Sequence, residues 1–138
     1  MSDEPVGIDI ELIKPVNIKI AERFFAPDET AYIKDGEQEQ RFYEVWTKKE
    51  SHIKWEGKGL YKPLTSFNIF DSHIHNAYYY KIFGNKDAVA HVCTTQSTPP
   101  SIKNVRYCDF FTEYKLIDKS LCYTTVKNLF SLSIKTLV

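Results

Sequence analysis

The chain has no run of apolar residues approaching the roughly 20 needed to cross a bilayer. Its N-terminus, MSDEPVGIDIE, is acidic and has no basic stretch ahead of an apolar one, so it does not read as a secretory signal. Cysteine is scarce and odd in number: Cys93, Cys108 and Cys122 include no CxxC pair. That is poor material for a disulfide framework or a zinc site, and the three are expected as buried thiols. These absences together imply a reduced, cytoplasmic protein away from membranes. A charge excess is missing too. Lys plus Arg and Asp plus Glu both number 18, where a generic nucleic-acid binder would carry a basic surplus. Internal repeats and low-complexity tracts are absent as well.

What is present suffices for one domain spanning 1–138: 43% hydrophobic and 14% aromatic residues for a core, and 26% charged residues for a solvated surface. The neutral total conceals a split. Residues 1–60 hold 13 acidic and 9 basic groups, whereas residues 61–138 hold 5 acidic and 9 basic. The acidic surplus raises the question of whether some of those carboxylates hold a cation.

Residues 5–13 alternate strictly, with Val6, Ile8, Ile10 and Leu12 on one face and Gly7, Asp9 and Glu11 on the other. This predicts a strand, ended by Pro15. Residues 16–60 read as mainly helical. Ile20, Phe24 and Phe25 are spaced for one helix face, and Pro27 breaks that helix while Asp28 and Glu29 can start the next. The longest helix should run from about 39 to 56, with Phe42, Val45, Trp46 and Ile53 at the 3.6-residue period and Gly57 and Gly59 stopping it. From residue 64 the character turns to β. Ser66–Phe70, Ala77–Phe83 and Ala88–Thr95 read as strands, with a hairpin turn at Gly84-Asn85-Lys86-Asp87. Thr98–Ser101 reads as a loop and Val105–Phe111 as an aromatic stretch, while 112–138 stays open between helix and strand. The class expected is α+β, a small antiparallel sheet packed against helices.

Asp9 and Glu11, two apart on a strand, send both carboxylates off one face, roughly 6.5–7 Å apart at the backbone. They either face solvent or converge on an ion. Two acids in an otherwise buried-strand sequence are costly unless compensated, and hard oxygen donors favour magnesium over zinc. Composition leaves the two readings open. Trp46, Glu50 and Lys54 recur at i, i+4 and i+8 along one helical face. They are either an ordinary surface Glu–Lys pair, worth about 0.3–0.5 kcal/mol, or a third carboxylate with a phosphate-binding cation. Lys58, between two glycines, suits either a phosphate contact or a helix cap.

Taken together, Val6-Gly7-Ile8-Asp9-Ile10-Glu11, then Ile20–Phe25 followed by Glu29, then Trp46-Thr47-Lys48-Lys49-Glu50-Ser51 with Lys54 and Gly57-Lys58-Gly59-Leu60, resemble the 4′-phosphopantetheinyl transferases. The likeness is clear over residues 5–70 and weaker to about 111. Glu11 and the phrase Trp-Thr-Lys-Lys-Glu-Ser are similar to the surfactin-synthetase-activating (Sfp-like) type, a single chain of two like halves with one active site between them. Only the second half is matched here; the basic residues and His with which the first half holds the adenine end of coenzyme A have no counterpart before Val6.

The resemblance implies that Asp9, Glu11 and Glu50 bind Mg²⁺, which also engages the pyrophosphate of coenzyme A. A serine of an apo acyl or peptidyl carrier protein would attack the β-phosphate, with release of 3′,5′-ADP. Glu50 is the implied base and Lys54 the implied catalytic cation on the phosphates, with Lys49 and Lys58 as further coenzyme A contacts. Glu29 matches an acidic position of the family site. A second copy or a complementing N-terminal half would supply what is missing, the alternative being a half-transferase that folds and binds metal or carrier protein without turnover. Other residues are set aside. His73 and His75 lack a third ligand nearby. His91 reads as a hydrogen-bonded core histidine. His52 has no triad order around it. The Tyr78–Tyr80 run suits sheet packing better than base stacking.

Overall fold

A computed structural model of the chain describes residues 4–59, 62–71 and 76–101. Two compact units divide the chain, Met1–Pro100 and Ser101–Val138, and the described residues other than Ser101 belong to the first. The expectations for His73, His75, Val105–Phe111, Cys108, Cys122 and 112–138 lie outside the described residues. Strand β1 (Val6–Leu12) is followed by helices α1 (Lys19–Phe24), α2 (Pro27–Lys34) and α3 (Gln38–Glu56), then by strands β2 (Tyr78–Gly84) and β3 (Ala88–Thr94). The class is α+β: one antiparallel sheet in the order β1-β3-β2, covered on one face by α3. No helix among the described residues is long and apolar enough to cross a membrane.

Each element has a local cause. Pro27 occupies the first turn of α2, where its missing N–H is no loss, and Glu29 reaches back to accept the Ala26 amide at 2.7 Å. Gly57, at φ +67°, takes the left-handed conformation that closes α3, its amide donating to the Lys54 carbonyl at 3.2 Å. Between β2 and β3, the Asn85 side chain accepts the amides of Asp87 and Ala88, at 2.8 and 2.9 Å. The core gathers Ala21, Phe25, Ile33, Phe42, Val45, Ile53, Phe67 and Ile69, with Trp46 stacked on Phe42 at 5.8 Å.

Two expectations are corrected. In α1 the inward residue is Ala21, joined by Phe25 just past its end, while Ile20 and Phe24 are exposed. Ala21 turns in because α2 crosses close by, Thr30 donating its hydroxyl to the Ala21 carbonyl. The predicted strand Ser66–Phe70 is instead a 3₁₀ turn over Leu64–Ser66 running into irregular chain. Phe67 and Ile69 do alternate inward, which mimics a strand. The backbone there is satisfied by charged side chains rather than a neighbouring strand: Lys49 donates to the carbonyls of Leu64 and Phe67, and Glu29 accepts the Ile69 amide.

Strand β1 has its polar face inward. Gly7 and Asp9 are buried against α3, while Val6, Ile8, Ile10 and Leu12 are 45–58% exposed. Gly7 permits this, since a Cβ there would collide with the Ser51 carbonyl and the Trp55 amide of α3. The close approach delivers the acids of β1 to the helix.

Candidate active site between β1 and α3

Asp9 is 7% exposed. Its Oδ1 accepts the Lys54 ammonium at 2.6 Å, and its Oδ2 is buried with no hydrogen-bond partner. Glu11 and Glu50 are its electrostatic neighbours, so β1 and α3 bring three carboxylates into one cluster. The solvent reading of the Asp9–Glu11 pair is thereby excluded for Asp9.

All three carboxyls are pushed above their ordinary range. For Asp9, burial is the main cause, opposed by the hydrogen bond and charge of Lys54 and by the backbone amide of Ile10. For Glu11, burial leads, followed by repulsion from Asp9; the Trp46 indole N–H pulls the other way, and Glu50 adds further repulsion. For Glu50, burial and then Asp9 raise it, and Lys54 lowers it. Half-buried carboxylates that repel one another, one with an orphaned oxygen, carry more negative charge than a single ammonium balances. That donor set fits a hard divalent cation. Among the described residues, however, no three His, Cys, Asp or Glu side chains have closed to a ready-made metal geometry. The cation held by Asp9 is Lys54.

The lysines separate sharply. Lys54 is half exposed at the cluster. Lys49, expected as a coenzyme A contact, is fully buried instead: its ammonium pairs with the fully buried Glu29 at 2.9 Å and donates to the Leu64 and Phe67 carbonyls at 2.7 and 2.6 Å. With three protons and three protein acceptors it has none left for a phosphate. Glu29 likewise spends its oxygens on Lys49, Ile69 and Ala26, so this acid braces α2 against α3 rather than joining the cluster. Lys58 is exposed just past α3, 3.7 Å from Glu56, and is not drawn to Asp9.

The residues set aside are structural. His91, on β3 directly opposite Asp9, is buried and bonded to Thr47 Oγ1 at 2.8 Å. The Thr47 hydroxyl donates to the Tyr43 carbonyl, so His91 donates from Nδ1. Burial, with the charge of Lys48, lowers His91 to about 4, so it is neutral. His52 is fully buried, stacked on Phe67 and within 2.7 Å of Tyr79 Oη. Tyr79 packs within the sheet as expected, and the buried Cys93 thiol is pushed up to about 12. Sequence reasoning missed the Glu29–Lys49 brace. Its signal was faint, a Lys beside a Glu in a helix otherwise read for its apolar face.

Residues 5–117 match the profile of the 4′-phosphopantetheinyl transferase superfamily. Curated relatives include the 4′-phosphopantetheinyl transferase Sfp of Bacillus subtilis, 51% identical over 69 residues that cover 48% of this chain and 31% of the relative. The transferase ffp of Bacillus subtilis is 50% identical over 70 residues, 48% of this chain and 31% of its own. The transferase gsp of Aneurinibacillus migulanus is 49% identical over 70 residues, 49% and 30% respectively. The chain thus spans about a third of the length of the curated relatives it matches. With the profile covering most of its residues and the acid cluster standing where β1 meets α3, the chain belongs to the 4′-phosphopantetheinyl transferase superfamily.

Proposed function

We propose that the chain takes part in Mg²⁺-dependent transfer of the 4′-phosphopantetheine arm of coenzyme A to a serine of an apo acyl or peptidyl carrier protein, releasing 3′,5′-ADP. The observation that carries this reading is the buried Asp9 carboxylate with its unpartnered Oδ2, set beside Glu11 and Glu50 in a member of this superfamily. Asp9, Glu11 and Glu50 would hold the ion, which when bound supplies charge neutralisation at the pyrophosphate. Glu50, the carboxylate of α3 in the cluster, accepts the serine proton. Lys54, flexible and half exposed, steadies the phosphate oxygens. The reaction balances: the serine oxygen bonds to phosphorus, the bond to 3′,5′-ADP breaks, and the serine proton passes to Glu50.

The remaining coenzyme A contacts are assigned to a second half, from a second copy or another polypeptide. One observation supports that assignment: the half-exposed apolar stripe Val6, Ile8, Ile10 and Leu12, the kind of surface that marks an interaction site. The second reading is a half-transferase that folds and binds metal or carrier protein without turnover. Incubating the chain at high concentration with apo carrier protein, coenzyme A and Mg²⁺ decides between them. A carrier mass gain of one phosphopantetheine arm is expected, and its absence favours the half-transferase. The cytoplasm, where coenzyme A and carrier proteins meet, completes the proposal.

A further inference from the structure

Strand β1 lies at the edge of the sheet, bonded to β3 alone among the described residues. In an antiparallel ladder, residues that bond the neighbour alternate with residues whose amide and carbonyl point the other way. Two bonds fix the phase. Ile13 donates its amide to the Asp87 carbonyl at 2.8 Å, so Gly7, Asp9 and Glu11 are the residues of β1 that bond to β3. Asn85 donates to the Ala88 carbonyl at 3.0 Å, so Ala88, Ala90, Val92 and Thr94 turn to β2, in agreement. The main-chain groups of Val6, Ile8, Ile10 and Leu12 therefore point outward along the open edge, the Ile10 amide being shared with the Asp9 carboxylate.

The two faces beside that edge differ in chemistry. Val6, Ile8, Ile10 and Leu12 carry half-exposed apolar side chains on the face away from α3. Asp9 and Glu11 lie on the α3 face, where with Glu50 they outnumber the Lys54 ammonium and repel one another. An open edge binds an extended chain through its backbone, and the side chains on either face select which chain. Cross-strand neighbours on one face come within about 4.5–5.5 Å, close enough for an incoming Lys or Arg to meet Asp9 or Glu11. A second copy of β1 is a poor occupant, because it brings the same acids to an acidic edge.

We infer that the open edge of β1 takes an added strand from a partner chain that alternates apolar with basic residues, its apolar set extending the Val6, Ile8, Ile10 and Leu12 stripe and its basic set meeting Asp9 and Glu11. The β1–β3 ladder stays as it is, because the added strand uses only the outward main-chain groups. The inference requires no transfer by the chain, so it stands or falls apart from the proposed reaction.

The test is amide hydrogen exchange, read residue by residue by NMR, on the full chain with a capped synthetic peptide of about seven residues alternating valine and lysine. Without peptide, the Asp9 and Glu11 amides should exchange slowly and those of Ile8 and Leu12 rapidly. The peptide should slow Ile8 and Leu12 about tenfold or more, as ladder bonds do on forming. A valine–glutamate peptide of the same length should leave them fast. Ile8→Pro removes an edge donor that the β1–β3 ladder does not use, and should abolish the slowing at Leu12 while Asp9 and Glu11 stay protected. Glu11→Gln, which keeps the strand, should weaken the lysine peptide about two- to fivefold. No slowing by the lysine peptide, equal slowing by the glutamate peptide, or binding indifferent to both variants overturns the inference.

Discussion

At the scale of single residues, two lysines of the same helix have opposite duties. Lys49 and Lys54 belong to the same motif, yet Lys49 closes a fully buried pair with Glu29 while Lys54 stands half in solvent. Removing one partner of a buried pair leaves an uncompensated charge. Lys49→Met should therefore cost about 3–5 kcal/mol in urea unfolding, and Lys54→Met less, since Lys54 itself is half exposed although its partner Asp9 is buried. Glu50 tests the cluster through pH. Its carboxyl is raised above 4.5 by burial and Asp9, so folding disfavours its charged form. The folded state then holds the proton more tightly than the unfolded one, and stability falls as pH rises from 4.5 through the raised value. Without metal, Glu50→Gln should stabilise the chain at pH 7 by on the order of 0.5 kcal/mol, since partial exposure screens the effect, and should not do so below pH 4.5. Paired thermal melts at the two pH values with a chelator measure this; a variant destabilised at pH 7 would contradict it.

At the scale of elements, the decisive contact is β1 against α3. Gly7→Ala should push the two apart, because the added methyl meets backbone atoms of Ser51 and Trp55 rather than a side chain that can swing away. The expected cost is about 1–3 kcal/mol in a melt, with weakened Mn²⁺ binding as Asp9 shifts from Glu50 and Lys54. Much of this element was readable beforehand. The Val6–Leu12 alternation, the α3 periodicity ending at Gly57 and the Asn85 turn are local patterns, and they sit within a residue or two of where the sequence places them. Two things were not readable. Alternation says that faces differ, not which is buried, and Gly7 settles that only once α3 is known to lie on it. Likewise Phe67 and Ile69 look like a strand, because nothing local says that Lys49 and Glu29 will satisfy the backbone around them.

At the scale of the whole molecule, the sheet has one face covered by α3, while β1 presents a half-exposed apolar stripe on its other face. Ile8→Ser with Ile10→Ser should leave the melt nearly unchanged, since both side chains are half exposed, yet abolish transfer if a second half docks there. A double variant that is folded and fully active would remove the stripe from the account. The cluster itself was legible as three acids and a lysine at the right spacing; that Lys54 occupies Asp9 depended on side-chain geometry across 45 residues. The most direct measurement is the intact mass of apo carrier protein after incubation with coenzyme A, Mg²⁺ and concentrated chain, beside Asp9→Asn. The account predicts a gain of one phosphopantetheine arm that vanishes with a chelator and with Asp9→Asn. No gain, or a gain that survives both, would contradict it.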